Sequence, residues 1–449
     1  MDVMTVIHEA VKKYDKNLVL KDKQREALTY VVKSKCDLVV SLPVGYGKSV
    51  IFHLLPLIFE ETRENPVVLV ISPLNIIQKD QLSVLKEHGI SSCRLDIVAN
   101  VVHGLEDDKE TEYMCKSDEN FEDVKHGKFQ IVFCHPEALF NTNKGRELLN
   151  GVFNQHVVSV VIDECHIIEK WGEEFRLAFK ALPTLKAFFP DVTFLALSGT
   201  LTITQKQDLP KMLGLNNFKI IECSPDKPNI YLEKFKKEHA SDVEEEYENI
   251  VNSLCDKLFV ERKNFPVTLI YVPVYYMSRA IMYLNNLFKP SNINDAIYSA
   301  ICSGQDQYVI DRTMQELKKE HSLIRLVLTT SILGMGFDPE NVTHVVHSCP
   351  PRNISQYFQE VGRAGRRGQP SVASLYYSAR NIARNLPGIT EDIIQYCKND
   401  TSCLRNCILS VFGFQKNSDI VDCKCCCICK KNCNCDDCLI ANIVITDSY

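Results

Sequence analysis

With 449 residues, 45% of them hydrophobic, the chain holds material for two or three cored domains. A net charge of −6 excludes attraction of nucleic acid by a global positive field, so such a partner must be gripped by local basic and aromatic groups in a cleft. The apolar runs are of strand length and the first residues do not resemble a secretory leader, which predicts a soluble intracellular protein with no membrane partner, nuclear if its host is eukaryotic.

Taken in order, Val3, Val6, Ile7, Ala10 and Val11 are spaced for one face of a helix, and KDKQREALTYVV from Lys21 supplies a second helix. Gln24 in that second helix has two readings: a solvated helix residue, or a carboxamide that matches both the donor and the acceptor edge of adenine. The apolar run Leu38, Val39, Val40 then leads into LPVGYGKS, followed by the helical pattern Val50, Ile51, Leu54, Leu55. In this strand, glycine loop and helix, Gly45 and Gly47 let backbone N–H groups close around phosphate oxygens, Lys48 reaches the outer phosphates and Ser49 ligates magnesium. Leu42 stands where the full pattern has a glycine or small residue, and Tyr46 must point away from the nucleotide.

VVLVISPLNIIQKDQL at 67–82 reads as a buried strand, a turn at Ser72 and Pro73 and a helix; 100–128, rich in Asp, Glu and Lys, is expected as a loop or insertion. IVFCHPEAL at 131–139 gives a strand with Pro136 and Glu137 at its end, and FLALSGTLT at 194–202 repeats the plan, ending in Ser198, Gly199 and Thr200. Strand and helix alternating at this spacing predict a parallel sheet. Val160, Val161 and Ile162 form another short run that ends in Asp163 and Glu164. Such a pair is a solvated strand end or, beyond the carboxyl edge of an open sheet, one acid for a magnesium ion and one to orient or deprotonate water. Five residues after His166, WGEEFR begins at Trp171, the only tryptophan, and holds Phe175 and Arg176. A lone tryptophan is commonly a core anchor; in so polar a segment its face is better suited to stack on unpaired bases, with Arg176 at the backbone or the acids.

At DKPNI, 226–230, a second lobe begins, with strands expected at 267–273, 324–330, 343–348 and 372–377 and helices at 276–288 and 305–319. It has no second phosphate loop but carries GMGFD at 334–338 and QEVGRAGRRG at 359–368. Arg363, Arg366 and Arg367 are either a solvated turn or cations offered to the triphosphate bound by the first lobe. Of 20 cysteines, 11 lie between Cys397 and Cys438, a clustering that points to metal, while the scattered remainder are expected as reduced core thiols.

In series, LKDKQ, LPVGYGKS, VISPLNIIQKDQL, DECH with WGEEFR, ALSGTLT, DKPNI, LTTSILGMGFD and YFQEVGRAGRRG resemble the RecQ-family DNA helicases of helicase superfamily 2, from about Leu20 to Cys429. The resemblance implies an α/β fold of two RecA-like lobes, 1–225 and 226–385, followed by a small helical zinc-binding module, 386–449. It implies an enzyme that hydrolyses ATP with Mg2+ to move 3′ to 5′ on single-stranded DNA and to unwind forked duplexes in recombination, repair or replication. By position it implies Gln24 on adenine, Gly45, Gly47, Lys48 and Ser49 on phosphates and Mg2+, and Asp163 on Mg2+ through its water shell. Glu164 is implied as catalytic base, Asp338 beside the ribose, Arg363 at the nucleotide, Arg366 as arginine finger, and Trp171, Phe175 and Arg176 in a loop that senses single-stranded DNA. Cys403, with Phe412 and Gly413 nine residues on, fits the zinc module, and Cys423, Cys426 and Cys429 in C-x2-C-x2-C complete a four-thiolate set; Cys425, Cys427, Cys433, Cys435 and Cys438 are surplus, so sets such as Cys435 with Cys438 stay open. Leu20 and Lys21 replace an aromatic and an arginine of the family, and Cys165 replaces the alanine of DEAH. A winged-helix domain with its strand-splitting hairpin is not expected in this chain, so unwinding is expected to be short-ranged. Two rival readings remain: an ATPase that remodels protein–DNA complexes without separating strands, and a silent DNA-binding module, against which Lys48, Glu164 and Arg366 argue.

Overall fold

A computed structural model describes residues 2–34, 36–72, 75–103, 109–168, 177–215, 217–238, 242–302, 304–330, 339–436 and 438. The chain divides into two compact units, Met1–Pro225 and Asp226–Tyr449.

The first unit is built on strands β1 (Asp37–Ser41), β2 (Val67–Ile71), β3 (Ser92–His103), β4 (Lys109–Ser117), β5 (Ile131–Cys134), β6 (Val157–Ile162), β7 (Thr193–Ser198) and β8 (Phe218–Glu222), in the order β4-β3-β5-β2-β6-β7-β1-β8. All neighbours pair in parallel except β3 and β4. The central strands read as unbroken apolar runs such as VVLVI because helices cover both faces and every residue is buried. Their parallel pairing in register, Ser41 beside Ser198 and Ile71 beside Ile162, brings their carboxyl ends to one edge. Helices α1 (Val3–Tyr14) and α2 (Asp22–Lys33) pack on α3 (Lys48–Phe59), as their apolar spacing predicts. Tyr14 Oη stands 2.9 Å from His53 Nδ1, and Gln81 Oε1 lies 2.7 Å from His53 Nε2, so the buried imidazole is satisfied while neutral. Burial pulls its pKa down to about 4.

The stretch 100–128, expected as a loop or insertion, holds much of a hairpin: β3 runs on past its partner β5 and pairs antiparallel with β4, from Leu95 with Ser117 to His103 with Lys109. Charged residues hid it, because an edge ribbon tolerates charge where a central strand does not. Residues Phe121–Lys125 then form a short helix capped by the Asn120 side chain.

The second unit carries β9 (Ile230–Lys236), β10 (Thr268–Tyr271), β11 (Tyr298–Ile301), β12 (Leu326–Thr329), β13 (His344–His347) and β14 (Ser371–Tyr377), all parallel, in the order β11-β12-β10-β13-β14-β9. The expected helices are found at Val274–Phe288 and Gln307–Lys318. The cysteine-rich segment joins the same core: Ile408, Phe412, Cys425, Cys426 and Ile428 pack with Ile230, Leu232 and Leu375, and Leu232 forms a β-bridge with Cys426. Arg405 fastens this contact, its buried guanidinium 2.5 Å from Asp226 Oδ1 and donating to the carbonyl oxygens of Lys227 and Ile230. Among the described residues no helix is long and apolar enough to cross a membrane.

Candidate functional site

The loop after β1 is fixed before any ligand is considered. Leu42 N donates to Ser198 O at 3.0 Å and Tyr46 N to Pro43 O at 3.0 Å, closing a turn. Gly45 and Gly47 take φ of 84° and 88°, the left-handed region that a β-carbon disfavours. At Gly47 a Cβ would also meet Gln24 Nε2 at 2.7 Å. With Gly47 as N-cap, the 12-residue helix α3 opens at Lys48 and turns its first free N–H groups and positive dipole end toward the loop. That is a phosphate cradle.

Gln24 is a support of this loop. Its Oε1 accepts from Lys21 N at 2.8 Å, while Nε2 donates to Tyr46 O at 3.1 Å and Gly47 O at 2.8 Å. Both amide protons are thereby used, and only a lone pair on Oε1 is left over, so contact with adenine's acceptor edge requires giving up a loop bond. Tyr46 turns toward α2, its hydroxyl accepting from Lys23 N at 3.4 Å and its ring 4.8 Å from Lys21 Nζ, so it does face away from the cradle.

The acids lie at the next strand end but one. Asp163 N continues the pairing to Ile71 O at 2.9 Å, and the chain then turns through Glu164 at φ 49°, a costly conformation for a non-glycine residue. Desolvation raises the Asp163 carboxyl to about 7, the charge of Glu164 adds to the rise, and Lys48 opposes it. A carboxylate short of positive charge beside a phosphate cradle suits a divalent cation. Lys48 Nζ itself lies 3.7 Å from where a Cβ on Gly199 would stand, so β1, β6 and β7 converge here.

Two residues absent from the expected site complete this edge. His166 Nδ1 is 3.1 Å from Ser198 Oγ and 3.2 Å from Glu164 Oε2, and Ser198 Oγ donates to Thr200 O at 2.9 Å. With the serine proton committed to Thr200, the proton between His166 and Ser198 sits on His166 Nδ1. Gln205 Nε2 holds His166 O at 3.3 Å and closes a capping box with Thr202. The paired acids are thus wired to the SGT turn, a link legible only as H in DECH and S in LSGT.

In the second unit Lys227 Nζ donates to Gly362 O at 2.5 Å, and Asn229 Nδ2 to Gly365 O and Gln369 O, each at 2.9 Å. DKPNI is therefore the clamp on the GRAGRRG turn as well as the start of the lobe. Arg363 is buried, and burial pulls Arg366 down to about 10 and Lys227 to about 8, the latter helped by Arg366 and Arg363. Three cations sharing a desolvated corner favour an anion. Arg367 is different: it is exposed and paired with Glu340.

The cysteines correct the expected ligand set. Cys403, Cys425, Cys426 and Cys429 bring their sulfurs within 4.8 Å of one another, whereas Cys423 stands with Cys433, Cys435 and Cys438. The C-x2-C-x2-C spacing would align Cys423, Cys426 and Cys429 on one continuous helix, but the helix breaks at Cys426, extended at φ −161° and ψ 167° between Asp422–Cys425 and Cys427–Lys431. With Zn–S near 2.3 Å, tetrahedral sulfurs stand about 3.8 Å apart. Cys403 and Cys425 are 3.6 Å apart, so the four thiols fit zinc. Trp171, Phe175, Arg176 and Asp338 lie outside the described residues.

A phosphate cradle and paired acids on one sheet, followed by a second parallel-sheet unit, agree with the helicase core that the family models find. Residues 21–209 match the DEAD/DEAH box helicase family and 249–368 the helicase conserved C-terminal domain. The ATP-dependent DNA helicase RecQ of Haemophilus influenzae is 27% identical over 410 residues, 87% of this chain and 58% of that protein. The ATP-dependent helicase SGS1 of Saccharomyces cerevisiae is 25% identical over 442 residues, 94% of this chain but 28% of that protein. The chain belongs to the RecQ family, and spans from about a quarter to under two thirds of the length of these relatives. In fold it is similar to the DUF1998 helicase MrfA bound to DNA, with TM-score 0.61 and 18% identity over 83% of this chain and 48% of that one. It is also similar to Saccharomyces cerevisiae Dbp5 bound to RNA and ADP BeF3, with TM-score 0.59 and 18% identity over 84% and 88%.

Proposed function

We propose that the chain is an ATP-driven motor on DNA that moves 3′ to 5′ along a single strand and separates forked duplexes in recombination, repair or replication. The observation that supports this most strongly is the meeting of Lys48, Asp163, Glu164 and Gly199 at one sheet edge beside the glycine loop of a RecQ-family chain. ATP and Mg2+ are the cofactors: magnesium, when bound, neutralises phosphate charge, and Ser49 and Asp163 are the residues to hold it. Gly45, Gly47 and the start of α3 bind phosphate oxygens through backbone N–H groups, and Lys48 holds the outer phosphates. Glu164 takes the proton of the attacking water, its carboxylate oriented by His166 Nδ1. Arg366 meets transition-state charge on the transferred phosphoryl group, with Arg363 at the nucleotide and Asp338 at the ribose. Gln24 joins adenine recognition to loop geometry. Trp171, Phe175 and Arg176 stack on and contact single-stranded DNA and report its presence to Asp163 and Glu164, from which they are separated by only a few residues. Zinc in the Cys403, Cys425, Cys426 and Cys429 site holds the module on β9.

Strand displacement from forked and 3′-tailed duplexes tests the whole reading. ATP turnover stimulated by single-stranded DNA, with displacement from the 3′-tailed but not the 5′-tailed substrate, is expected. Stimulated turnover without displacement leaves the translocase that remodels protein–DNA complexes. Turnover indifferent to DNA contradicts both.

A further inference from the structure

The cysteines left over from the first set form a second one. Cys423, Cys433, Cys435 and Cys438 bring all four sulfurs within 4.8 Å of one another, with Cys423 and Cys435 3.8 Å apart, the separation a tetrahedral zinc demands. The geometry points to a second, separate zinc site made of these four thiolates. Its partition from the first is dictated by the short helix Asp422–Cys425. Residues two apart on a helix project about 200° apart, so Cys423 and Cys425 cannot serve one ion. Cys425, fully buried, turns inward to Cys403, Cys426 and Cys429, and Cys423 turns outward to the segment that follows the helix Cys427–Lys431. The two sets interleave in sequence without sharing a ligand: eight thiols, four to each ion.

Other occupants fit less well. All eight are free thiols, and 3.6–3.8 Å between sulfurs is far beyond a disulfide bond of about 2.05 Å. An iron–sulfur cluster places bridging sulfide and several irons between its cysteines and would spread them beyond the spacing seen. A mononuclear thiophilic ion suits the distances, and zinc is the borderline-soft d10 ion that takes four thiolates without redox chemistry. The first site fastens the module to β9. The second ties the chain from Cys433 to Cys438 back to Asp422–Cys425, a link that the few apolar residues of NCNCDDC cannot make by burial.

The test is metal content together with native thiol alkylation of the whole chain, reduced, loaded with zinc and freed of excess. About two zinc ions per chain are expected, with all eight ligand cysteines protected while Cys407 and Cys427, partly exposed like Cys403, Cys423, Cys429, Cys435 and Cys438 but in neither set, are labelled. Cys435→Ser should fall to about one ion and expose Cys423, Cys433 and Cys438 to label while Cys403, Cys425, Cys426 and Cys429 stay protected. One ion per chain, or labelling of Cys423, Cys433, Cys435 and Cys438 in the zinc-loaded native chain, overturns the proposal. That labelling pattern decides the matter even if Cys435→Ser fails to fold. Neither readout involves ATP or DNA, so the result stands apart from the motor assignment.

Discussion

The two sheets are built alike and present different groups at their strand ends. Each is a sheet of mostly or wholly parallel strands whose central strands are buried, and each sends turns rich in glycine or charge from its strand ends. In the first, glycines in left-handed conformations free backbone N–H groups for phosphate, and two acids follow the next strand but one. In the second, the turns between β13 and β14 hold no such cradle; they hold Arg363 and Arg366, desolvated and clamped by Lys227 and Asn229. The lesson is that the sheet supplies rigid strand ends, and the residue types placed there decide whether a lobe offers backbone N–H groups or side-chain charge.

Substitutions sharpen that division. The largest effect is expected for Glu164→Gln and Arg366→Ala: ATP still bound, turnover lower by roughly 10²-fold or more in each, because both act on the transition state. Lys48→Ala should differ by losing nucleotide affinity as well, measured by equilibrium binding. If Arg366→Ala hydrolyses ATP at the normal rate, the second lobe's cations are structural only.

A second effect should fall on the second unit alone. Arg405→Met removes the guanidinium that pairs with Asp226 in a buried contact and is expected to cost roughly 3–5 kcal/mol in denaturant unfolding. Chelation of zinc, or Cys426→Ser, should release the same segment and give poorly soluble protein. A soluble, fully active Cys426→Ser chain would remove that residue from the zinc site.

A smaller, graded effect separates acid sensitivity from chemistry. His53 in the first unit and His344 in the second have pKa values pulled to about 4 by burial. Their unfolded forms bind protons below pH 6.5 while the folded forms do not, so stability is full above that pH and falls as pH drops toward 4, by roughly 3 kcal/mol for each. Thermal melts at pH 7 and pH 4.5 check this; His53→Gln should flatten the loss in the first unit and leave that in the second.

Much of this division was legible in the sequence, because buried parallel strands announce themselves as apolar runs and because LPVGYGKS and DECH are chemically specific. The strands that escaped reading, β3, β4, β8, β9 and β11, carry polar residues among their apolar ones and, β3 apart, lie at a sheet's edge, where one side of the strand has no neighbour to bury it. Gln24's hold on the loop, the His166–Ser198 link and the DKPNI clamp escaped for another reason: each is a contact between segments far apart in the chain, and polar residues do not declare their partners. The cysteine sets were misread at a single residue, since regular spacing presumes a regular helix and Cys426 interrupts it.

The most direct test of the central claim is ATP turnover by the wild-type chain and by Trp171→Ala, each with and without single-stranded DNA, alongside thermal melting. The expected result is strong stimulation of the wild type by DNA, with Trp171→Ala keeping its melting temperature and basal turnover but losing most of the stimulation. A variant that melts early while its folded fraction is stimulated normally would make Trp171 a core residue, and a wild type that DNA does not stimulate would contradict the account of a DNA-driven motor altogether.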